Sequence, residues 1–378
     1  MEGEKAISKG RFFIMNAYIE NNAVFPAYFV SANSAKGFIN DFQNVFGKGH
    51  GVDHLYIIKG GPGTGKSYFM RKTAQYAAKK GYHVTYYHCS SDPTSLDGIR
   101  LEKDGCPTWG LIDGTPPHTW EADLPGAREE IVNLGTFWDV SCLSEKKEDI
   151  SRYICQKSQC YARAYRYLGA YGEVICATEA LTAPCIRTEA LKRYAERILR
   201  HTPSGKSAEE TGVHLRAVSM SGEAYLDTFE KLARKQGGEI LLPEEYYGLG
   251  YALTAQLYAI SKQNGYRMVV SRHPILPHRI DGLYYPDTGH SILVVPHGAE
   301  SATDTVSVRR YMDHTLFRSV RGEVRHDLHL ADALTERALQ SLREAGEYHF
   351  ALEKIYASSM NFQAKEKFEN DFLKALFS

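Results

Sequence analysis

A glycine-rich segment that follows an apolar run most narrows the folds open to this chain. Residues 55–59 read LYIIK, residues 60–67 read GGPGTGKS, and a helix-favouring stretch, YFMRKTAQYAAKK, comes next. The segment matches the pattern G-x-x-x-x-G-K-[ST], whose successive backbone N–H groups turn inward around a phosphate. Glycines suit it because the turn needs φ values that a side chain would penalise. Strand, loop and helix in this order predict an α/β fold with an anion site at the helix N-terminus.

The residues of this loop have distinct expected roles in binding a nucleoside triphosphate. Lys66 would contact the β- and γ-phosphates as a point charge, and the Ser67 hydroxyl would coordinate Mg²⁺. The residues expected to bind ATP are Gly60, Gly61, Pro62, Gly63, Thr64, Gly65, Lys66, Ser67 and Tyr68. Glycine, lysine and serine recur at 205–207, but Arg200 replaces the first glycine and no strand precedes it, so we exclude that stretch.

A loop of this kind needs an acidic partner at the end of a neighbouring strand, which holds a water molecule on Mg²⁺. Asp113 ends the short apolar run WGLID at 109–113 and is the candidate. We therefore count Asp113 with Lys66 as catalytic, and with Ser67 as a metal-binding residue. The alternative is an aspartate that only caps the turn GTPPH.

A further group must orient the attacking water or hydroxyl. The candidates follow predicted strands, where ligands of open α/β sheets gather: His88, Asp92, Asp97, His118 and Glu121. We choose Asp92 as the third catalytic residue, with a turn-capping role before Pro93 as the alternative. Asp97 fits an architectural Asp-Gly turn better. Arg128 and Arg272 are the candidates for an arginine that stabilises the transferred phosphate.

The second half of the chain repeats the first. KKGYHVTYYHCSSDPTSLDGI aligns with QNGYRMVVSRHPILPHRIDGL, so that one offset matches Gly81, Tyr82, Asp97 and Gly98 with Gly265, Tyr266, Asp281 and Gly282. Upstream, SANSAKGFINDFQNVF resembles AVSMSGEAYLDTFEKLA, and downstream TFWD resembles RYMD. Polar, helix-favouring sequence follows at 145–200 and 323–376.

Each half reads as a short helix, a strand, a helix, a strand, a linker, a strand and a helical tail, and strands that alternate with helices favour parallel sheets. We therefore predict an α/β protein of two tandem P-loop NTPase-like parallel-sheet domains, each with a helical segment. The Ser- and Gly-rich stretch at 201–212 divides them, which gives domains at 1–205 and 206–378.

The second copy lacks the residues that a nucleotide site needs. No lysine or arginine occurs between Glu239 and Ser261, where the loop would fall, and Val295 aligns with Asp113. We therefore expect one working nucleotide site and one degenerate copy retained for packing or regulation.

Composition limits the partners and the compartment. The 378 residues include 45 basic and 45 acidic side chains, so no net charge draws the chain to nucleic acid or to an anionic membrane. Seven cysteines form no C-x-x-C pair, which is typical of a reducing compartment. The N-terminus fits neither a secretory signal nor a transit peptide, and no apolar run approaches the ~18 residues of a membrane span. We expect a cytoplasmic protein without a membrane partner, and nucleic acid is not the expected ligand.

The segments GGPGTGKS, HCSSDPTSLDG and GLIDGTPPHTWEADLPGAREEIVNLGTFWD, with the matching second-half block, resemble a family of largely uncharacterised bacterial P-loop ATPases of about this length. The resemblance extends over nearly the whole chain. It implies two tandem P-loop NTPase-like halves with helical segments, and an ATP site formed by residues 60–67 and Asp113. The missing second lysine and second carboxylate depart from a symmetrical pair of sites.

These features lead to one main hypothesis and two alternatives. The main hypothesis is a Mg²⁺-dependent ATPase whose single site couples ATP binding or hydrolysis to a conformational change, or to contact with a protein or small-molecule partner. The alternatives are a small-molecule or nucleotide kinase, with the helices at 145–200 as a lid, and a nucleotide sensor that does not hydrolyse its ligand.

Overall fold

The computed structural model describes residues 12–15, 19–20, 23–202, 207, 209–297 and 305–378. Its strands are β1 (Phe12–Met15), β2 (Ile19–Glu20), β3 (Ala23–Val24), β4 (Ala27–Phe29), β5 (Ser31–Ser34), β6 (Gly37–Asn40), β7 (His54–Lys59), β8 (His83–His88), β9 (Leu96–Glu102), β10 (Trp109–Asp113), β11 (Glu129–Asn133), β12 (Glu210–Val213), β13 (Arg216–Ser219), β14 (Gly222–Leu226), β15 (Ile240–Pro243), β16 (Met268–Arg272), β17 (Ile280–Tyr285), β18 (His290–Leu293) and β19 (Thr305–Val306). Its α-helices are α1 (Gln43–Phe46), α2 (Lys66–Lys79), α3 (Val140–Glu145), α4 (Lys147–Thr182), α5 (Thr188–Arg200), α6 (Thr228–Gln236), α7 (Leu249–Gln263), α8 (His314–Ser358) and α9 (Phe362–Leu376).

The first sheet has the strand order β11-β7-β10-β9-β8-β4, and every strand except β9 runs in the same direction. The strands predicted at 55–59, 83–87 and 109–113 correspond to β7, β8 and β10. The predicted linker with an Asp-Gly turn is wrong, because Asp97 and Gly98 lie inside the antiparallel strand β9. A Cβ at Gly98 would come within 3.0 Å of Phe46 Cζ, so the glycine permits close packing on the sheet and does not form a turn.

The second sheet repeats this arrangement, with the order β19-β15-β18-β17-β16-β12 and only β17 antiparallel to the rest. The expectation of an α/β fold with two mostly parallel sheets is therefore confirmed. One alignment is wrong by one residue: Gly98 pairs with Ile112 and Gly282 pairs with Leu293, so Val294 occupies the position of Asp113. The second-half residue equivalent to Asp113 is thus still a valine, without a carboxylate.

The helical tails, which are α3–α5 in the first half and α8–α9 in the second, cross between the two halves. Helices α4 and α8 pack antiparallel, since Arg163 contacts Ser341 and Thr178 contacts Asp327. At one end a bridge joins Trp138 to Met360, and at the other end a bridge joins Ile186 to Met312. Consequently α9 packs on α2 of the first half, and α5 packs on α7 of the second.

Alternating residues of a strand point to opposite faces of the sheet and pack into two different hydrophobic cores. Ile58 and Val132 belong to a cluster that includes residues of α2 and is joined by Phe368 and Phe372 of α9. Leu55 and Ile57 face the other way, into a cluster that joins the halves through residues such as Phe229 and Leu242. The predicted domain boundary between residues 205 and 206 lies outside the described residues and stays a prediction. None of the helices in the described part of the chain has the length and apolar composition that a bilayer crossing requires.

Candidate functional site

The glycine-rich loop joins the end of β7 to the first turn of α2. Gly60, Gly63 and Gly65 have φ values of 152°, 72° and 81°, which a residue with a side chain rarely adopts. Gly65 is the N-cap of α2, and the Thr64 hydroxyl donates to the carbonyl oxygen of Gly61 at 2.9 Å. The loop therefore depends on glycine at three positions to bring its backbone around the start of α2.

Lys66 is the first residue of α2, and its side chain extends back to the loop. Its ammonium donates to the carbonyl oxygens of Gly60 and Gly61 at 3.0 and 2.9 Å, and its Nζ lies 3.5 Å from Asp113 Oδ2. The side chains of Lys66 and Asp113 are only 12% and 13% exposed. Because β10 pairs directly with β7, the carboxylate that ends β10 lies beside the loop that follows β7.

The two oxygens of Asp113 have different partners. Oδ1 accepts from the backbone N–H and the hydroxyl of Thr115, at 2.9 and 2.5 Å, as expected of a turn-capping aspartate. Oδ2 faces Lys66. The turn-capping interpretation and the catalytic interpretation of Asp113 therefore use separate atoms and do not exclude each other.

Ser67 and Tyr68 begin α2 beside the loop. The Ser67 hydroxyl oxygen accepts from the backbone N–H of Leu96 at 2.9 Å and keeps a second lone pair for a cation. Tyr68 is 59% exposed, and Lys365 Nζ lies 5.4 Å from the centre of its ring. A hydroxyl and a carboxylate, from Ser67 and Asp113, are the oxygen ligands that Mg²⁺ prefers, so the residues present fit the expected ion.

Residues from the far end of the chain contact the loop, which the sequence did not predict. A Cβ at Gly63 would lie 2.5 Å from the carbonyl oxygen of Glu353, and one at Gly65 would lie 2.9 Å from Lys365 Nζ. Tyr356 and Trp138 pack in the same way against Gly61. No local signal points to these contacts, because they follow from the crossing of the helical tails.

Lys157, a lysine of helix α4, lies close enough to Lys66 to be affected by its charge. Burial lowers the pKa of Lys157, on α4, and the positive charge of Lys66 lowers it further, while Glu353 raises it. Two cations that face the same region are costly to hold together without an anion between them. Lys157 therefore lies within the electrostatic range of Lys66.

The two predicted arginines lie elsewhere. Arg128 donates to the carbonyl oxygens of Phe46 and Val52, beside the start of β7 and thus at the opposite end of that strand from the loop. Arg272 pairs with Glu210 and stacks over Tyr258 in the second half. Both side chains stabilise local structure, so the expectation that either of them reaches the phosphate is wrong.

Asp92 holds its own turn. Its carboxylate accepts from the backbone N–H and hydroxyl of Thr94, at 3.1 and 2.7 Å, and from the Ser95 hydroxyl at 3.1 Å. These contacts match the turn-capping alternative, and the catalytic role of Asp92 stays a prediction. Nearby, burial lowers the pKa of His88 to about 4, and its Nδ1 lies 2.8 Å from the Pro93 carbonyl oxygen. Glu121 is largely exposed and pairs with Lys59.

The equivalent loop of the second half is shorter. Six residues, 59–64, separate Ile58 from the helix N-cap Gly65, whereas four residues, 244–247, separate Pro243 from the N-cap Gly248. Leu249 follows Gly248 where Lys66 follows Gly65. The shorter loop lacks both the length and the lysine of the first.

A carboxylate of the chain itself caps this shorter loop. Glu245 accepts from the backbone N–H groups of Tyr247 and Gly248 at 3.2 and 3.0 Å, and its Oε1 lies 4.0 Å from Arg279 Nη1. Tyr246 and Tyr247 have φ values of 34° and 55°, which are rare for residues with side chains. The helix N-terminus that could bind an external anion is thus occupied by Glu245.

Replacing Glu245 with alanine is expected to destabilise the protein by about 1–2 kcal/mol, because it removes the acceptor of two backbone N–H groups at a helix start. Urea unfolding followed by circular dichroism would measure the loss. The exposed Glu239, which only approaches His290 at 3.7 Å, offers a control, and Glu239→Ala is expected to change the stability by less than about 0.5 kcal/mol. Equal stabilities of the two variants would contradict the capping role.

Comparison with protein-family models, with curated proteins and with solved structures finds no significant match to this chain. The function therefore has to be argued from the site itself.

Proposed function

We propose that the chain is a Mg²⁺-dependent ATPase with one nucleotide site, formed by residues 60–67 and Asp113. The observation that carries this proposal is the approach of Lys66 Nζ to Asp113 Oδ2, 3.5 Å apart at the adjacent ends of two parallel strands. A cation and a carboxylate beside a glycine loop at a helix N-terminus form the arrangement that phosphoryl transfer needs, which is positioning together with charge stabilisation.

Each residue has a stated task in the proposed reaction. The backbone N–H groups of the loop and of the first turn of α2 hold the phosphate oxygens. Lys66 exchanges its two carbonyl partners for the terminal phosphates, and Lys157 adds a second positive charge from α4. Ser67 and Asp113 would hold Mg²⁺, which when bound offsets the charge that develops on the phosphate oxygens. Asp113 would also position a water molecule beside that ion.

The same site supports a coupling of nucleotide binding to the helices. Glu353, Tyr356 and Lys365 contact the loop, and α8 runs from this point to the second half over about 68 Å. A change in the loop on ATP binding therefore acts on a helix that ends at the other half of the molecule. In this proposal the second half, with its capped loop, responds to the nucleotide and does not bind one. We also propose that these helices contact a partner, either a protein or a small molecule, in the cytoplasm.

Replacing Asp113 with asparagine is expected to lower the turnover of ATP at least about 100-fold, because the neutral amide no longer holds the water on Mg²⁺. Phosphate release measured with ATP and Mg²⁺, with EDTA as a blank, gives the rate. The matched control is Asp123→Asn, which changes an exposed carboxylate that pairs with Lys48 at 3.3 Å, and its rate is expected to stay within about 3-fold of the parent chain.

Two outcomes of this experiment would overturn the proposal or part of it. Equal loss in Asp113→Asn and Asp123→Asn would contradict a specific role of Asp113 in turnover. Labelled phosphate that passes to a metabolite and not to water would replace the ATPase by a kinase.

A further inference from the structure

Three potential metal ligands converge at one edge of the first sheet, outside the residues of the proposed nucleotide site. The Sγ atom of Cys89, a carboxylate oxygen of Asp97 and a ring nitrogen of His118 all lie within 4.8 Å of one another. Asp97 and His118 are 3% and 4% exposed, and Cys89 is half-buried. We call these three residues the Cys-Asp-His cluster. His118 Nε2 lies 3.1 Å from Asp97 Oδ2.

The sheet topology brings these residues together from distant positions in the chain. Cys89 follows β8, Asp97 is the second residue of the antiparallel β9, and His118 follows β10, so each lies near the same edge of three adjoining strands. The backbone N–H of Cys89 donates to the carbonyl oxygen of Ser95 at 3.0 Å, which fixes the turn that carries the thiol. The rings of Phe42 and Phe38 lie 5.3 and 4.8 Å from that of His118 and fix its plane.

In the second half, the carboxylate equivalent to that of Asp97 has an arginine of the chain as its partner. Asp281, the counterpart of Asp97, lies 3.5 Å from Nη1 of Arg216. Arg216 begins β13 as Ser31 begins β5, and both strands enter hairpins of the same register. Ser31 donates to Asp97 Oδ2 at 3.3 Å. The first half thus has a neutral hydroxyl where the second half has a guanidinium.

His118 is a poor substitute for the missing arginine. An imidazole, unlike a guanidinium, carries no permanent charge, and Nδ1 of His118 is buried with no hydrogen-bond partner within the described residues. Within the described residues no lysine or arginine pairs with the Asp97 carboxylate, and burying a carboxylate without a paired cation costs free energy. An external cation would remove that cost.

We propose that Cys89, Asp97 and His118 bind a Zn²⁺ ion, with a water molecule or the Ser31 hydroxyl as the fourth ligand. Sulfur and nitrogen donors select Zn²⁺ over Mg²⁺ and Ca²⁺, which prefer oxygen. Zinc bonds of about 2.0–2.3 Å in a tetrahedral site place neighbouring ligand atoms about 3.3–3.8 Å apart, so atoms already within 4.8 Å need only small shifts. Cys89 loses its thiol proton to solvent when it binds. The ion ties β8, β9 and the segment after β10 together beside Asp113.

Titration of the metal-free full chain with Co²⁺ tests this proposal. One equivalent is expected to give a thiolate-to-cobalt charge-transfer band and intense visible bands of a four-coordinate ion, and stoichiometric Zn²⁺ should bleach both. Cys89→Ser is expected to abolish the charge-transfer band, and Asp97→Asn should weaken Zn²⁺ binding at least about 10-fold in a chelator competition.

The matched control is Cys176→Ser, which removes the thiol of an exposed group with Glu179 and His278 whose donor atoms also converge. The bands should persist in that variant. Their absence from the parent chain, or their loss with Cys176→Ser and not with Cys89→Ser, would overturn the proposal. The parent-chain titration decides the matter even if Cys89→Ser fails to fold. The readout needs no nucleotide, so it is independent of the ATPase assay.

Discussion

Lys66→Ala is expected to weaken the binding of Mg-ATP about 100-fold, which corresponds to about 2.7 kcal/mol. Lys66 is the cation within the loop and is almost fully enclosed, so its bonds to phosphate would be charge-assisted and poorly screened by solvent. The parent chain has to break two bonds from this ammonium to the carbonyl oxygens of Gly60 and Gly61 before it binds phosphate. Alanine removes that cost as well, which limits the loss.

Isothermal titration calorimetry with ATP and Mg²⁺ measures this change directly. Lys79→Ala is the matched control, because Lys79 lies on the exposed last turn of the same helix and its removal should leave the affinity unchanged. If Lys66→Ala bound ATP as tightly as the parent chain, the glycine-rich loop would not be the nucleotide site, and the proposed function would be wrong. The cobalt titration of the Cys-Asp-His cluster would be unaffected by that result.

Local sequence signals predicted the parts of the site that are continuous along the chain. The loop, its flanking strand and helix, and Asp113 at the end of β10 depend on short-range spacing, and the structure has each element at the predicted residues. The repeat also predicted a second sheet, because matched glycines and aspartates recur at one offset. Only its last strand was misaligned, where Val294 and not Val295 takes the place of Asp113.

The predictions that were wrong, and the contacts that were missed, concern segments that are distant in the sequence. Asp97 and Gly98 suggested a turn, but both lie in β9, and the glycine is there because Phe46 packs where a side chain would extend. Glu353 contacts the loop, and Lys157 comes within electrostatic range of Lys66, only because α4 and α8 cross between the halves. A single sequence carries no signal for that crossing. The interpretation of Arg128 as a phosphate-binding residue was wrong for the same reason. Its position in the sequence after β10 does not indicate which end of β7 it contacts.

Glu369→Leu is expected to destabilise the protein by about 3–5 kcal/mol, the usual cost of breaking a buried ion pair. Glu369 is 1% exposed and pairs with Lys365 on its own helix and, at 3.2 Å, with Lys72 of α2. Leucine would leave the ammonium of Lys365, itself 3% exposed, buried beside Gly65 without its carboxylate. The same carboxylate therefore holds α9 on α2 and holds a lysine against the glycine-rich loop. Urea unfolding followed by tryptophan fluorescence would measure the loss.

The double variant Lys365→Met with Glu369→Leu separates charge from packing. It removes the buried charge pair but keeps two long apolar side chains, so the stability is expected to return to within about 1 kcal/mol of the parent chain. Lys72 can then extend into water, since its side chain is already 21% exposed. If the double variant were as unstable as Glu369→Leu alone, lost packing and not an uncompensated charge would explain the effect. Recovery would show that the buried carboxylate and its lysine partners fix the position of α9 against α2 and the loop at little net gain in stability.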